Sequence, residues 1–525
     1  MASGFRIACL EAAFLVASFT VCTAQVRTDA GLVQGVRMDG FTVYKGIPFA
    51  APPVGQFRWR EPQPVKPWSG VQMADKFAPA CMQSGVSMPG ETPPKVSEDC
   101  LYLNVWTPSK HAGERLPVMV WIYGGGFTSG SASMPLYWGD RLSRKGVIVV
   151  TFGYRVGPFG FLTHPELTRE SPRHSSGNYG FMDQIAALKW VQRNIESFGG
   201  DPRRVTIAGQ SAGATSVSIL MSSPLAKGLF HQAIEQSGGL MEPVQVAPRV
   251  MLANAEHEGE AYAKSLGVHS IAELRTLSAR DLLKGSWQDV SHFVIEPYVM
   301  PDSPYNQFAA GRQNDVSILV GSNADEYRAM ITDPNTIKAA TFKEDIAKAW
   351  GPLPPALLTA YPFTNDDEAR KARLAFERDL RFGWDMWALA RMASITGHNS
   401  VYYYHFTHKP PFPEKSVRFG WGASHYAELW YMFDHLDQEP WRWTEADRRL
   451  ADAMSSYWTN FIKSGDPNGA NLPDWPKFTS RDSRVQYLDD VIETAGVANL
   501  KSMQVVDAVY SQVRGAPFGA SSKRR

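Results

Sequence analysis

VTIAGQSAGATSV, residues 205–217, passes from β-branched and small apolar residues (Val205 to Ala208) into Gly209-Gln210-Ser211-Ala212-Gly213, and then into a small, helix-compatible run. A serine between two glycines, where a strand hands over to a helix, is the pattern of a nucleophile elbow. The tight turn strains its central residue. Side chains two positions either side would collide, so both must be glycine. The serine hydroxyl then stands clear of the sheet. The next backbone N–H, that of Ala212, points to where an oxyanion would form. The chain contains no second G-x-S-x-G. A lone serine does little, however: it needs a base, an acid to orient that base, and further oxyanion donors.

The chain has 525 residues, 44% hydrophobic and 20% charged, enough for a large core. It shows no internal repeat, low-complexity linker or charge block. The formal net charge is +1 and the Lys and Arg residues are dispersed, which argues against a nucleic-acid or polybasic membrane surface. The terminal SSKRR reads as a solvated tail. At the other end, Arg6 precedes the apolar run AAFLVASFTV (12–21) and then Cys22-Thr23-Ala24-Gln25. A positive residue, a short apolar core and a small residue before the cut predict a secretory signal over 1–24. The apolar run is too short to span a bilayer. Val21 stands where a lipoprotein signal would place a small residue. We therefore expect an exported product, secreted or periplasmic, without a stable membrane anchor. Cys9 and Cys22 would leave with the signal. Cys81 and Cys100 remain, in a compartment that favours a disulfide.

The first hundred residues are rich in Gly, Pro and turn signals, and read as small antiparallel strands and loops. Beyond them, strand-length apolar runs alternate with helical patterns. PVMVWIYGGG (117–126), GVIVVTFGY (146–154), RVTIAG (204–209), HQAIEQSG (231–238), VSILVGSN (316–323) and VYYYHF (401–406) read as strands, and NYGFMDQIAALKWVQRNI (178–195) as a helix. That alternation predicts an α/β fold with a mainly parallel sheet covered on both faces. Ligands in such folds bind beyond the carboxyl ends of the strands, where Ser211 and the triple glycine both fall.

In WIYGGGFTSG (121–130), three glycines after a strand leave backbone N–H groups free to converge on a substrate oxygen. No G-K-S/T follows to make it a phosphate loop. The base for a serine must be neutral near pH 7, hence a histidine. His425 lies in FGWGASHYAELWYMFD, after a small-residue loop and before an apolar run, while His405 and His408 flank a strand end as rivals. For the acid, GSNADEYRAM (321–330) offers Asp325 and Glu326 just past a buried strand, and position does not choose between them. The chain order is serine, acid, histidine, as in α/β hydrolases.

On these motifs, together with GIPFAAPPVGQFRW (46–59), SEDCLYLNVWTP (97–108), FGGDPRRVTIAGQSAGATSV and SGDPN (464–468), the chain resembles the type-B carboxylesterase family, relatives of the cholinesterases. The resemblance implies one α/β-hydrolase domain over 25–525. It implies Ser211 as nucleophile, Glu326 as acid and His425 as base. The oxyanion donors fall on the backbones of Gly125, Gly126 and Ala212, a buried supporting pair on Ser237 and Glu428, and a disulfide on Cys81–Cys100. Three departures stand out. Gln210 replaces the family's frequent Glu before the nucleophile, and Tyr327 replaces the usual Gly after the acid. The Cys81–Cys100 loop holds no tryptophan, which disfavours a choline site. The expectation is an exported serine carboxylic-ester hydrolase that acts through an acyl-enzyme on a small-molecule ester, with no metal or organic cofactor. A catalytically silent cholinesterase-like binding protein is the rival from another class. A preference for amides or lactones is the rival among hydrolases.

Overall fold

The computed structural model describes residues 24–515 except 87, 89, 332 and 352. Residues 1–23 of the expected signal, with Cys9 and Cys22, lie outside the described residues. The centre is an eleven-stranded sheet. Its strands are β1 Val36–Met38, β2 Phe41–Pro48, β3 Tyr102–Thr107, β4 Leu116–Ile122, β5 Ile148–Phe152, β6 Gly200–Gln210, β7 Gln232–Gln236, β8 Ser317–Asn323, β9 Val401–Phe406, β10 Val485–Leu488 and β11 Glu493–Ala495. Across the sheet they run β11-β10-β9-β8-β7-β6-β4-β5-β3-β2-β1. Every pairing from β5 across to β10 is parallel, and antiparallel strands close both edges.

The parallel strands are near-continuous apolar runs because helices cover both faces. Val118 to Ile122 in β4 and Ile148 to Val150 in β5 are fully buried. Covering helices include α1 Tyr179–Asn194, α2 Ala212–Ser222, α3 Asp366–Arg378, α4 Trp384–Thr396 and α5 Glu445–Ser464. In α5, Thr444 and Asp447 form a reciprocal capping box, and Gly465 ends the helix at φ 76°.

The N-terminal segments depart from expectation in one respect. Gln25–Arg27 pairs antiparallel with Leu32–Gln34. The latter also pairs parallel with Val71–Met73, and Ala80–Cys81 pairs parallel with Val96–Ser97. Long loops separate the partners of both parallel pairs, so no hairpin turn dictates an antiparallel register there. Among the described residues, no helix is long and apolar enough to cross a membrane.

Candidate active site

Ser211 occupies the turn between β6 and α2 at φ 58°, ψ −128°, a conformation that L side chains rarely adopt. The surroundings impose it. A Cβ on Gly209 would overlap the backbone of Gly213, and one on Gly213 would overlap the carbonyl of Ile122. The elbow thus needs both glycines for two different contacts, one inside the turn and one against β4. Its N–H donates to the carbonyl of Gln236 (2.9 Å), tying the turn to the end of β7.

The glycine loop leaves β4 alongside. A Cβ on Gly124 would lie 2.7 Å from the Gln210 carbonyl and 2.8 Å from Ser211 Cβ, so only glycine lets this loop pass so near the serine. Gly125 and Gly126 follow at φ 110° and 61°. The N–H groups of Thr128 and Ser129 both donate to the Gly125 carbonyl (3.1 and 3.2 Å), which fixes the loop.

His425 and Glu326 meet at full burial: imidazole Nδ1 lies 2.6 Å from Glu326 Oε2. The other carboxylate oxygen accepts the N–H of Asn323 (2.7 Å), and the His425 N–H donates to the Glu326 carbonyl (3.3 Å). Both acids of the Asp-Glu pair serve this loop. Asp325 Oδ2 accepts the N–H of Ala423 (3.0 Å), while Asp325 N–H donates to the Ala423 carbonyl (2.9 Å). Glu326 therefore holds the ring, and Asp325 holds the loop that carries it.

The ring has three further neighbours. Phe382 stacks on it, centroids 4.5 Å apart and planes 25° off parallel. Tyr426, at φ 74°, packs edge-on at 4.4 Å and shares a hydrogen bond with the Ser211 side chain. Gln210 Nε2, on the residue before Ser211, lies 3.2 Å from imidazole Nε2 and 3.4 Å from Nδ1.

The rival histidines sit elsewhere. His405 is buried within β9, and burial, with Arg378 adding, holds it down at about 4. His408 is clamped by Asp447 (2.7 Å) and Asp490 (2.9 Å). Burial pulls its pKa down, but the carboxylates outweigh burial and raise it.

Ser237 and Glu428 are both fully buried, but the structure does not join them as a pair. Glu428 Oε1 accepts from Gln236 Nε2 (3.2 Å) and Oε2 from Asn323 Nδ2 (2.5 Å), whereas Ser237 Oγ has no partner among the described residues. Burial pushes Glu428 up to about 8, with the charge of Glu326 adding to the rise. Asn323 is the residue sequence reasoning missed. It touches Glu326, Glu428 and the carbonyl of Ser424 (2.9 Å). A polar residue ending the buried run VSILVGSN was the available signal. Tyr327 is accommodated by Arg381, whose guanidinium lies 5.4 Å from its ring. A disulfide joins Cys81 and Cys100.

The family model described as the carboxylesterase family matches residues 22–505. The chain belongs to the carboxylesterase family. It is 36% identical to the fumonisin B1 esterase of Sphingopyxis macrogoltabida, covering 91% of this chain and 89% of that protein. Identity to the para-nitrobenzyl esterase of Bacillus subtilis (strain 168) is 34%, over 89% of this chain and 95% of that one. A solved structure of PNB esterase superposes with a TM-score of 0.78 at 32% identity, covering 92% of this chain and 99% of that one. The family's α/β-hydrolase architecture and the observed sheet thus agree.

Proposed function

We propose that this carboxylesterase is an exported serine hydrolase of small-molecule carboxylic esters, working through Ser211, His425 and Glu326. The observation that carries the reading is a serine at φ 58° on a strand-to-helix turn, beside a bare glycine loop, with a buried imidazole–carboxylate pair at 2.6 Å whose imidazole lies 3.2 Å from the side chain of the preceding residue, Gln210.

Glu326 accepts the Nδ1 proton of His425, which leaves the Nε2 lone pair to act as base. When an ester arrives, the Ser211 hydroxyl exchanges Tyr426 for His425, loses its proton to Nε2 and attacks the carbonyl carbon. The N–H groups of Gly125, Gly126 and Ala212 receive the developing oxyanion. The tetrahedral adduct collapses, and the alcohol leaves with the proton held on His425. Water, deprotonated by the same imidazole, then cleaves the acyl-enzyme and returns Ser211. Gln210 contributes no charge beside the ring, so imidazolium stabilisation rests on Glu326. The signal expected over 1–24 and the disulfide both favour export, and we read 25–525 as one catalytic domain.

A fluorophosphonate probe should label Ser211 and abolish turnover of 4-nitrophenyl acetate. Ser211→Ala should fold as the parent does yet lose on the order of 10⁶ in kcat. Probe labelling at another residue, or substantial turnover by the alanine variant, would remove the serine mechanism. Full retention of all three side chains argues against the silent binding-protein reading.

A further inference from the structure

The turn that carries His425 has an unusual occupant. Ala427 N–H donates to the Ser424 carbonyl (3.0 Å), closing a turn over residues 424–427, and the same carbonyl accepts from Asn323 Nδ2 (2.9 Å). Tyr426 is the third residue of that turn and sits at φ 74°. Among the described residues, no other non-glycine residue has so large a positive φ. A turn that needs positive φ at its third position ordinarily places glycine there, because a side chain is strained in that conformation. Strain on a bulky residue persists only where the surroundings hold it, and such residues gather at active sites.

Two contacts hold Tyr426 there. Its ring packs edge-on against the imidazole of His425, centroids 4.4 Å apart, and its hydroxyl shares a hydrogen bond with the Ser211 side chain. The residue is only 8% exposed. One tyrosine thus touches both the base and the nucleophile of the proposed triad. Burial raises its phenol well above the ordinary tyrosine range, with Glu91, Glu428 and Glu326 adding to the rise, so the phenol keeps its proton near neutral pH. In the proposed reaction the imidazolium must hand its proton to the leaving oxygen, so the alcohol departs on the His425 side of Ser211. A hydroxyl that reaches Ser211 while its ring lies against the imidazole stands on that side, beside the alcohol rather than the acyl chain. In the resting enzyme either hydroxyl can donate to the other. Once Ser211 has lost its proton and bonded to carbon, Oγ carries no hydrogen, and the phenol O–H is the donor of the two.

We propose that Tyr426 serves the leaving group: its O–H donates a hydrogen bond to the alkoxy oxygen of the tetrahedral adduct, so that the substrates include esters of poorly acidic aliphatic alcohols as well as activated aryl esters. The inference rests on the serine-esterase reading above and deepens it. The bond between the carbonyl carbon and the alkoxy oxygen breaks, and its electron pair stays on that oxygen. The proton that the oxygen takes up comes from His425 Nε2. Tyr426 keeps its own proton throughout and only shares it with the negative charge building on the oxygen. The worth of such a donor grows with the basicity of the departing alcohol. A nitrophenolate spreads its charge over the ring and needs little help, whereas an ethoxide holds its charge on one atom and needs much.

The test first takes the straight-chain acyl group, acetyl to hexanoyl, that the wild type cleaves fastest as its 4-nitrophenyl ester. It then compares kcat/KM for the 4-nitrophenyl, phenyl, trifluoroethyl and ethyl esters of that acid in wild type and in Tyr426→Phe, which keeps the ring against His425 and removes only the hydroxyl. All four esters give the same acyl-enzyme, so differences within the series report on the step in which the alcohol departs. Tyr426→Phe should lower kcat/KM for the ethyl ester at least tenfold more than for the 4-nitrophenyl ester, with the other two falling in order between them. Tyr426→Gly, whose backbone takes φ 74° without strain, should lower the same ratio, and it decides the matter if the phenylalanine variant fails to fold. A loss equal across the four esters, or no loss, overturns the inference and makes Tyr426 a packing residue. Wild-type turnover confined to the aryl esters overturns it too. If the wild type cleaves no ester and a fluorophosphonate leaves Ser211 unlabelled, the esterase reading itself fails and takes this inference with it. Labelling and turnover by the wild type, with an unchanged ratio in the variants, refute the leaving-group role alone.

Discussion

Glu428 ends three residues past His425, wholly enclosed, with one oxygen on Gln236 and the other on Asn323. Its carboxyl is pushed up to about 8 from an ordinary 4.5, burial first and Glu326 second. A carboxyl whose folded pKa is raised contributes stability that is present below about 4.5 and is lost as the pH climbs through about 8. Over that window the unfolded chain ionises this carboxyl while the folded protein keeps it protonated beside Glu326. Glu428→Gln cannot titrate. Whatever constant offset the amide introduces, the melting temperature of the variant relative to wild type should rise steadily from pH 5 to pH 8. The free-energy swing should be on the order of a few kcal/mol. A difference between the two proteins that stays flat across those pH values would show that Glu428 does not titrate there. Gln210 belongs to the same scale. Its amide, 3.2 Å from imidazole Nε2, brings no charge to the ring, so Glu326 and Glu428 are the nearby acids that matter.

Phe382 shows how an element can place a residue that no motif announces. Helix α3 does not pass smoothly into α4: residues Asp379–Gly383 form a wider, π-type turn. Such turns are rare and recur near functional sites. The turn brings Phe382 flat against the imidazole of His425, closing one face of the ring. Phe382→Ala should lower kcat about tenfold with KM within threefold, because the ring gains freedom while the acyl and alcohol contacts remain. Stability should fall by about 3 kcal/mol as a buried ring is deleted. Phe382→Leu should recover most of the stability. A drop in stability with kcat unaltered would make Phe382 a packing residue only. The sequence could not disclose this contact, since 379–383 carries no pattern apart from its helical surroundings and lies over forty residues from His425. The elbow, the glycine loop and the strand ends were legible because local sterics demand glycine there. Glu326 over Asp325, and His425 over His405 and His408, came only through family resemblance, because long-range packing separates those candidates. The parallel pairing of the N-terminal strands was hidden for the same reason, since loops rather than turns join them.

At the scale of the molecule, the Cys81–Cys100 loop is stitched to the glycine loop by two hydrogen bonds between Gln83 and Gly130, both 2.7 Å. Closing a loop of this length restricts the unfolded chain, an effect worth about 3 kcal/mol. The Cys81→Ser, Cys100→Ser double variant should unfold at correspondingly lower denaturant. An unshifted midpoint would mean that the packing around Gln83 and Gly130 secures the loop without the bond. The interior also holds a buried ion pair of similar reach: Arg155 Nε and Nη2 each donate to Asp183 at 2.8 Å, fastening α1 to the loop after β5.

The rims of the large sheet hold a last consequence. Each terminates in a strand of just three residues, Val36–Met38 on one side and Glu493–Ala495 on the other. A foreign polypeptide seeking to add itself to this sheet finds only a few free amides and carbonyls to grasp before the template gives out. So extensive a ribbon, if left with long open margins, would invite fibrillar growth, and the brevity of its two flanks withholds that invitation.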